Sequence, residues 1–189
     1  MAVPDPETIA KRVIEAHGGI ENVIAIAKKR VEEFNSLWLQ DAEQIGRVLK
    51  AHLTVEFFLT RYIEFKNPML PGLADARLGF NQKMELLHPN DVLASQLKPG
   101  LQRLNQVRNR LVHNLRVEVR RDDVEVFLRV AIFRAMRSES EKRFSETLSD
   151  DPVAILEAFA KFVAGLFQAG STADGQMWAD ALRESDEKA

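Results

Sequence analysis

One stretch decides how the chain folds: residues 101–114 read Leu101-Gln-Arg103-Leu104-Asn-Gln-Val107-Arg108-Asn109-Arg110-Leu111-Val-His113-Asn114. Its apolar residues recur every three or four positions, as they do along the buried face of an α-helix. The apolar stripe comprises Leu101, Leu104, Val107, Leu111 and Leu115. This pattern predicts an amphipathic helix that follows Pro99 and Gly100, buries the stripe in a core and ends near Asn114.

The far side of this predicted helix carries an uncharged polar stripe that includes Asn109 and His113. These two residues are four apart and lie nearly in line along a helix. Arg108 diverges from His113 by roughly 140° around an ideal helix, a gap that the long arginine side chain can close. An arginine holds phosphoryl oxygens and a histidine carries protons near neutrality, which favours phosphodiester chemistry without a metal. The simpler alternative is a helix end where both cations stabilise the dipole.

The Arg108-Asn109-x-x-x-His113 run resembles the Arg-x4–6-His signature of HEPN domains, small all-α modules in which asparagine often follows the arginine. Residues 51–61, Ala-His-Leu-Thr-Val-Glu-Phe-Phe-Leu-Thr-Arg, are similar to the long second helix of that family, which carries a buried glutamate. Residues 78–87, Leu-Gly-Phe-Asn-Gln-Lys-Met-Glu-Leu-Leu, are similar to the short helix that follows. The three pieces occur in family order, and they are closest to the branch of mannitol-repressor-like bacterial proteins.

The resemblance implies an all-α, up-and-down helical bundle with extra N- and C-terminal helices. It also implies one of two functions. In the first, the chain is a metal-independent endoribonuclease, a toxin or stress effector, whose catalytic residues are Arg108, Asn109 and His113. It would act as a homodimer on RNA, leave 2′,3′-cyclic phosphate ends and require no cofactor. In the second, it is a catalytically silent regulatory module that contacts protein or nucleic acid. One toxin subgroup of the family carries tyrosine where this chain has Leu115, which argues against that subgroup.

Charge around the motif is strongly basic although the whole chain has a formal net charge of −2. Residues 103–121 contain six arginines and one acid, Glu118. A local basic patch is therefore expected, in which Arg103, Arg110 and Arg116 contact RNA.

Glu56 falls on an apolar helix face, where a carboxylate needs a partner. It can pair with His52 one turn earlier or reach Arg108 and orient it; we expect the second contact, in which Glu56 supports the site without taking part in the chemistry.

The rest of the chain is predicted to form helices separated by short loops, within one domain over residues 1–168 whose HEPN-like core spans about 40–135. The predicted helices span residues 7–17, 21–35, 41–65, 80–87, 101–114, 124–144 and 153–168. Residues 115–121 are expected to be extended, one turn is expected around Trp178, and residues 169–189 form a tail.

The composition of the chain indicates its cellular compartment and its partners. The chain has no cysteine, which fits a reducing compartment. Its N-terminus lacks the basic and apolar regions of a signal peptide, and no uninterrupted apolar run reaches the roughly 20 residues of a membrane helix. The four histidines are scattered, so no metal site is expected. We expect a cytoplasmic protein without membrane contact, whose partners are a second copy, RNA and possible antitoxin or regulatory proteins.

Overall fold

A computed structural model describes residues 5–38, 42–70, 72–113, 118–144 and 148–175. These residues form eight α-helices, and no strand occurs among them, so the prediction of an all-α helical bundle is confirmed. The helices are α1 (Pro6–Ala16), α2 (Ile20–Trp38), α3 (Ala42–Lys66), α4 (Phe80–Glu85), α5 (Val92–His113), α6 (Arg121–Arg129), α7 (Ala131–Phe144) and α8 (Pro152–Gly170).

The chain divides into two compact units, Met1–Ala42 and Glu43–Ala189. The prediction of one domain over residues 1–168 does not anticipate this division. In the first unit, Asp5 caps α1 by accepting the backbone N–H groups of Glu7 and Thr8. Gly18 and Gly19 then take positive φ angles and turn the chain into α2. Neither helix contains a buried residue.

The second unit holds the hydrophobic core. Helix α8 supplies eight buried residues to it and lies against α6, which in turn packs on α5 and α7. The largest fully buried side chains are aromatic, namely Phe127, Phe133, Phe159 and Phe167. By length and a mean hydropathy of 1.5, α8 is also apolar enough to cross a membrane, which the sequence analysis did not expect, but 44% of it is buried.

Helix α3 runs along this core and places one face toward the solvent. Its predicted apolar residues Val55, Leu59 and Ile63 are fully buried, whereas Leu53 and Phe57 are 61% and 56% exposed. An ion pair joins the N-terminal part of α3 to α8. The guanidinium of Arg47 donates two hydrogen bonds, of 3.1 and 2.7 Å, to the carboxylate of Glu157 on α8.

The predicted start of the motif helix at residue 101 is wrong. Helix α5 begins nine residues earlier, at Val92, and passes through Pro99. Asp91 caps the earlier start by accepting the N–H of Ala94, and Leu97 extends the buried stripe of Leu101 one turn toward the N-terminus. Burial of this additional turn outweighs the backbone hydrogen bond that proline removes.

The single helix predicted over residues 124–144 is also wrong. It begins at Arg121, because the carboxylate of Asp123 accepts the backbone N–H of Arg120, and it breaks at Val130, whose backbone is extended. Apolar residues three apart drift by about 60° per step around a helix. A straight helix would therefore place Val124 and Phe133 on opposite sides, yet both are buried. The break allows both to face the core.

Two further helices differ from their predicted bounds. Helix α8 starts at Pro152 and not Val153, with Asp151 as its N-cap. Helix α2 extends to Trp38, three residues beyond the prediction. Residues 115–117 of the predicted extended segment 115–121, the turn around Trp178 and the end of the tail lie outside the described residues, and Arg121 already belongs to α6.

Candidate functional site

Arg108 and Asn109 lie on α5 at the wall of a polar cavity of about 420 Å³. The apolar stripe predicted for α5 is buried as expected, and this turns the two residues away from the core. Both are partly exposed, and Nη1 of Arg108 donates a 3.0 Å hydrogen bond to Oδ1 of Asn109. Glu56 of α3 lines the same cavity. Three of the four residues predicted for the catalytic site and its support therefore meet at one place.

His113 is the last residue of α5 and follows Asn109 by four residues, about one helical turn. The orientation of its side chain lies outside what the structure describes, as does the whole of Arg116. Both assignments stay predictions. The backbone position of His113 places it on the same helix as Arg108 without an intervening break.

The expected contact between Glu56 and Arg108 is wrong. Oε1 of Glu56 instead accepts a 2.8 Å ionic hydrogen bond from Nζ of Lys83, on the short helix α4. The alternative that the sequence left open, a pair with His52, is present as a longer contact of 3.7 Å between Nδ1 and Oε2. Lys83 is buried, with only 8% of its surface exposed. The sequence did not indicate this role, because nothing within residues 78–87 shows which charged side chain of that segment turns inward.

A chain of hydrogen bonds starts at His52 and crosses from α3 to α4 through α5. The His52 ring is buried, lies 4.5 Å from the ring of Phe80, and shares a 3.1 Å contact between Nε2 and Oδ1 of Asn105. Because Oδ1 can only accept, Nε2 is the protonated ring nitrogen. Nδ2 of Asn105 then donates a 2.9 Å bond to Oδ1 of Asn81. Asn81 lines the cavity with Gln82, so two α4 amides that the sequence did not indicate belong to the site.

Burial lowers the pKa of His52 below its usual value. The hydrogen bond that His52 donates to Oδ1 of Asn105 and the charge of Glu56 oppose this shift of the pKa, while the cations Arg108 and Lys83 add to it. The neutral form of the His52 imidazole is therefore favoured.

Arg103 and Arg110 occupy the other side of α5 and bind a buried carboxylate. Nη1 of Arg103 lies 3.4 Å from Oδ1 of Asp123, and Nη2 of Arg110 lies 2.5 Å from Oδ2. Asp123 is only 1% exposed. Both guanidinium groups thus have a structural partner that the sequence analysis did not identify. Their predicted contact with RNA is untested, but this ion pairing leaves less unpaired positive charge near the motif than the sequence indicated.

Among the described residues, no group of three or more histidine, aspartate or glutamate side chains could hold a metal ion. The polar side chains that line the cavity are one guanidinium, one buried imidazole, one paired carboxylate and four amides. Such a set binds and orients an acceptor-rich ligand, and proton transfer requires the histidines.

Comparison of the chain with known proteins identified no relative. No protein-family model matches the chain, and neither the curated proteins nor the solved structures contain a match. The function has to be inferred from the residues and the geometry of the chain itself.

Proposed function

We propose that the protein is a HEPN-type, metal-independent endoribonuclease that acts in the cytoplasm as a toxin or stress effector. One observation carries the proposal. Arg108 and Asn109, singled out from sequence, line a polar cavity together with Glu56, and His113 follows one turn later on the same helix. An arginine, which can hold a phosphate, and a histidine, which can carry a proton, on one continuous helix support the proposed function.

RNA supplies the nucleophile for the proposed reaction. A general base removes the proton of a 2′-hydroxyl, whose oxygen then attacks the adjacent phosphorus, while a general acid protonates the departing 5′-oxygen. Arg108 holds the phosphate and stabilises the charge that builds on its oxygens. The products are a 2′,3′-cyclic phosphate and a 5′-hydroxyl. DNA lacks the 2′-hydroxyl and is not cleaved.

The proposed enzyme is a homodimer, in which the His113 residues of two copies divide the roles of base and acid. The exposed face of α3 supports this arrangement. Leu53 and Phe57 are more than half exposed there, and with Glu56 they line a second, largely apolar depression. Because Glu56 also lines the polar cavity, a second copy that covers the apolar face would close over the site.

A catalytically silent HEPN regulatory module, of the mannitol-repressor-like kind, is the second candidate. Its support is the buried Asp123, which pairs with Arg103 and Arg110 and reduces the positive charge available to RNA. Such a module would act through contacts with a protein, such as an antitoxin, or with nucleic acid, without cleavage.

Incubation of single-stranded RNA with purified protein in excess EDTA tests the first function. We expect fragments with cyclic phosphate ends from the wild type and none from His113→Ala or Arg108→Ala. Matched controls are His17→Ala and Arg134→Ala, which alter exposed residues outside the cavity and should cleave normally. RNA left intact by the wild type would refute the enzyme. Binding of RNA or of a partner protein that weakens in Arg108→Ala, without cleavage, would then support the silent module.

A further inference from the structure

The four amide side chains that line the cavity share one property: each carbonyl oxygen already accepts a hydrogen bond from the protein. Oδ1 of Asn105 accepts from His52, and Oδ1 of Asn81 accepts from Asn105. Oδ1 of Asn109 accepts from Arg108 at 3.0 Å. The remaining oxygen, Oε1 of Gln82, accepts the backbone N–H of Gly79 at 2.8 Å.

These bonds fix which half of each amide faces the cavity. An amide whose oxygen is held by a donor presents its NH₂ group to a ligand. Within the described part of the chain, the amino groups of Asn81, Gln82 and Asn109 donate to no protein acceptor. Arg108 adds further N–H groups that are not used by Asn109. Each amide oxygen is turned toward a donor of the protein, so this wall of the cavity presents mainly hydrogen-bond donors.

The donor arrangement is set by the buried end of the network. The Asn105 side chain is buried, and its Oδ1 lies 3.1 Å from Nε2 of His52. Asn105 is thereby fixed with Nδ2 toward Asn81, and rotation of the Asn81 amide would place two NH₂ groups against each other. Gln82 is fixed separately by Gly79. The amino groups are held before any ligand arrives, so binding requires little reordering.

The one carboxylate of the cavity does not oppose an anion. Oε1 of Glu56 accepts a 2.8 Å hydrogen bond from Lys83. His52 lies 3.7 Å from Oε2 and adds a second positive charge only when its imidazole is protonated. Its charge is therefore compensated within the protein. An acceptor-rich anion meets three amino groups and one guanidinium, with no unpaired negative charge among the described lining residues.

We propose that this donor wall, formed by Asn81, Gln82, Asn109 and Arg108, is a binding subsite for a phosphoryl group of single-stranded RNA. The assignment of RNA rests on the proposed function, whereas the phosphoryl chemistry follows from the donors alone. Asn81 and Gln82 are specificity-determining residues of this subsite. They select a group with several acceptor oxygens, and His52 and Asn105 are positioning residues that orient Asn81.

Two isosteric substitutions test the subsite without disturbing the fold. Asn81→Asp and Gln82→Glu keep the oxygen that accepts from Asn105 or Gly79 and replace the NH₂ donor by a second oxygen. The matched control Asn90→Asp adds the same charge at an exposed loop position outside the cavity. Binding is measured by fluorescence anisotropy with a 2′-O-methyl RNA oligonucleotide, which cannot be cleaved by the proposed reaction.

We expect each cavity variant to lose about tenfold or more in affinity, the equivalent of one charge-assisted hydrogen bond, and the control to bind like the wild type. NMR spectra of the Asn81 and Gln82 amino groups should shift on addition of the oligonucleotide. A shift with inorganic phosphate alone, but not with the oligonucleotide, would assign the site to free phosphate and overturn the RNA subsite.

The failure of this inference differs from the failure of the enzyme. Wild-type affinity in both cavity variants, or no binding by the wild type, overturns the subsite even if RNA is cleaved in EDTA. Conversely, reduced binding in the variants supports the subsite even if no RNA is ever cleaved, and only the proposed ribonuclease then fails.

Discussion

At the scale of single residues, Asp123 joins three arginines of the second unit. Its buried carboxylate binds Arg103 and Arg110 and accepts the backbone N–H of Arg120 at 2.9 Å. Replacement by alanine removes the helix cap and leaves two partly buried guanidinium groups without their anion. We expect Asp123→Ala to lower the free energy of unfolding by about 3 kcal/mol, measured by urea denaturation.

A neighbouring acid provides the control for this prediction. Glu125 also pairs with an arginine, Arg129, but their side chains are 61% and 77% exposed. Solvent screens such a pair, so Glu125→Ala should change the free energy of unfolding by less than about 0.5 kcal/mol. Equal effects of the two substitutions would show that the burial of Asp123 has no energetic consequence.

His52 makes stability depend on pH. Burial lowers the pKa of His52 in the folded chain, so between that value and its ordinary value of 6.5 the unfolded chain binds more protons. Stability therefore rises with pH across this window and falls as pH drops below about 6.5, because protonation then favours the unfolded chain. We therefore expect the urea concentration at the midpoint of unfolding to decrease as the pH is lowered from 7.5 to 5.

The substitution His52→Gln isolates this contribution. Glutamine can still donate to Asn105 but cannot titrate, so the decrease in stability between pH 7.5 and 5 should become smaller. His17→Gln, at an exposed histidine of the first unit, should keep the wild-type decrease. A decrease of unchanged size in His52→Gln would assign the pH dependence to other groups.

The sequence predicted the part of the site that lies on one helix. Arg108 and Asn109 could be assigned because their neighbours of the apolar stripe fix which face of α5 is buried. Lys83, Asn81 and His52 could not, because their roles come from contacts between helices 24 to 53 residues apart in sequence. The four-residue spacing of His52 and Glu56 was the only local signal, and it left the partner of Glu56 open.

At the scale of helices, α5 meets a side chain of α8 at Gly100. A β-carbon at this position would lie 2.2 Å from Cζ of Phe159, whose ring is also stacked on Phe127. Alanine favours a helix more than glycine does, but the ring has no space to move. We expect Gly100→Ala to lower the free energy of unfolding by about 1 to 3 kcal/mol in a denaturation experiment.

Gly165 of α8 gives the opposite expectation, because a β-carbon there meets nothing within 4 Å. Gly165→Ala should therefore raise the free energy of unfolding by about 0.5 to 1 kcal/mol.

A double variant tests the steric explanation for Gly100. Gly100→Ala combined with Phe159→Leu should lose less free energy of unfolding than the two single variants lose in sum, since leucine leaves space for the added methyl group. Simple additivity would contradict the steric explanation.

Helix boundaries show where sequence patterns lose their information. Pro99 indicated a helix start, yet Leu97 and Ala94 are buried and the helix continues through the proline. The break at Val130 was missed because its neighbours favour a helix on both sides. In both places the arrangement of the core decides, and that arrangement depends on residues far away in the sequence.

At the scale of the whole molecule, the described core and the candidate site lie within one of the two units. Every buried apolar residue of the described chain falls between Val48 and Phe167, and the cavity is lined by residues 52–109. The first unit has two amphipathic helices without buried residues. Its stability cannot come from a core of its own, since isolated helices of this length are marginal in water.

This division predicts the effect of removing residues 1–42. A chain that starts at Glu43 keeps every apolar residue that is buried in the described part of the chain, and it keeps the whole cavity. Its free energy of unfolding should therefore stay within about 1 kcal/mol of the full-length value. Its affinity for the 2′-O-methyl RNA oligonucleotide should also be unchanged. The peptide 1–42 alone should lose helicity gradually on heating, without a cooperative transition, because it buries no core. Circular dichroism and denaturation of both pieces measure these outcomes. A large loss of stability in the shortened chain would mean that the first unit contributes to the core that holds Arg108 in place.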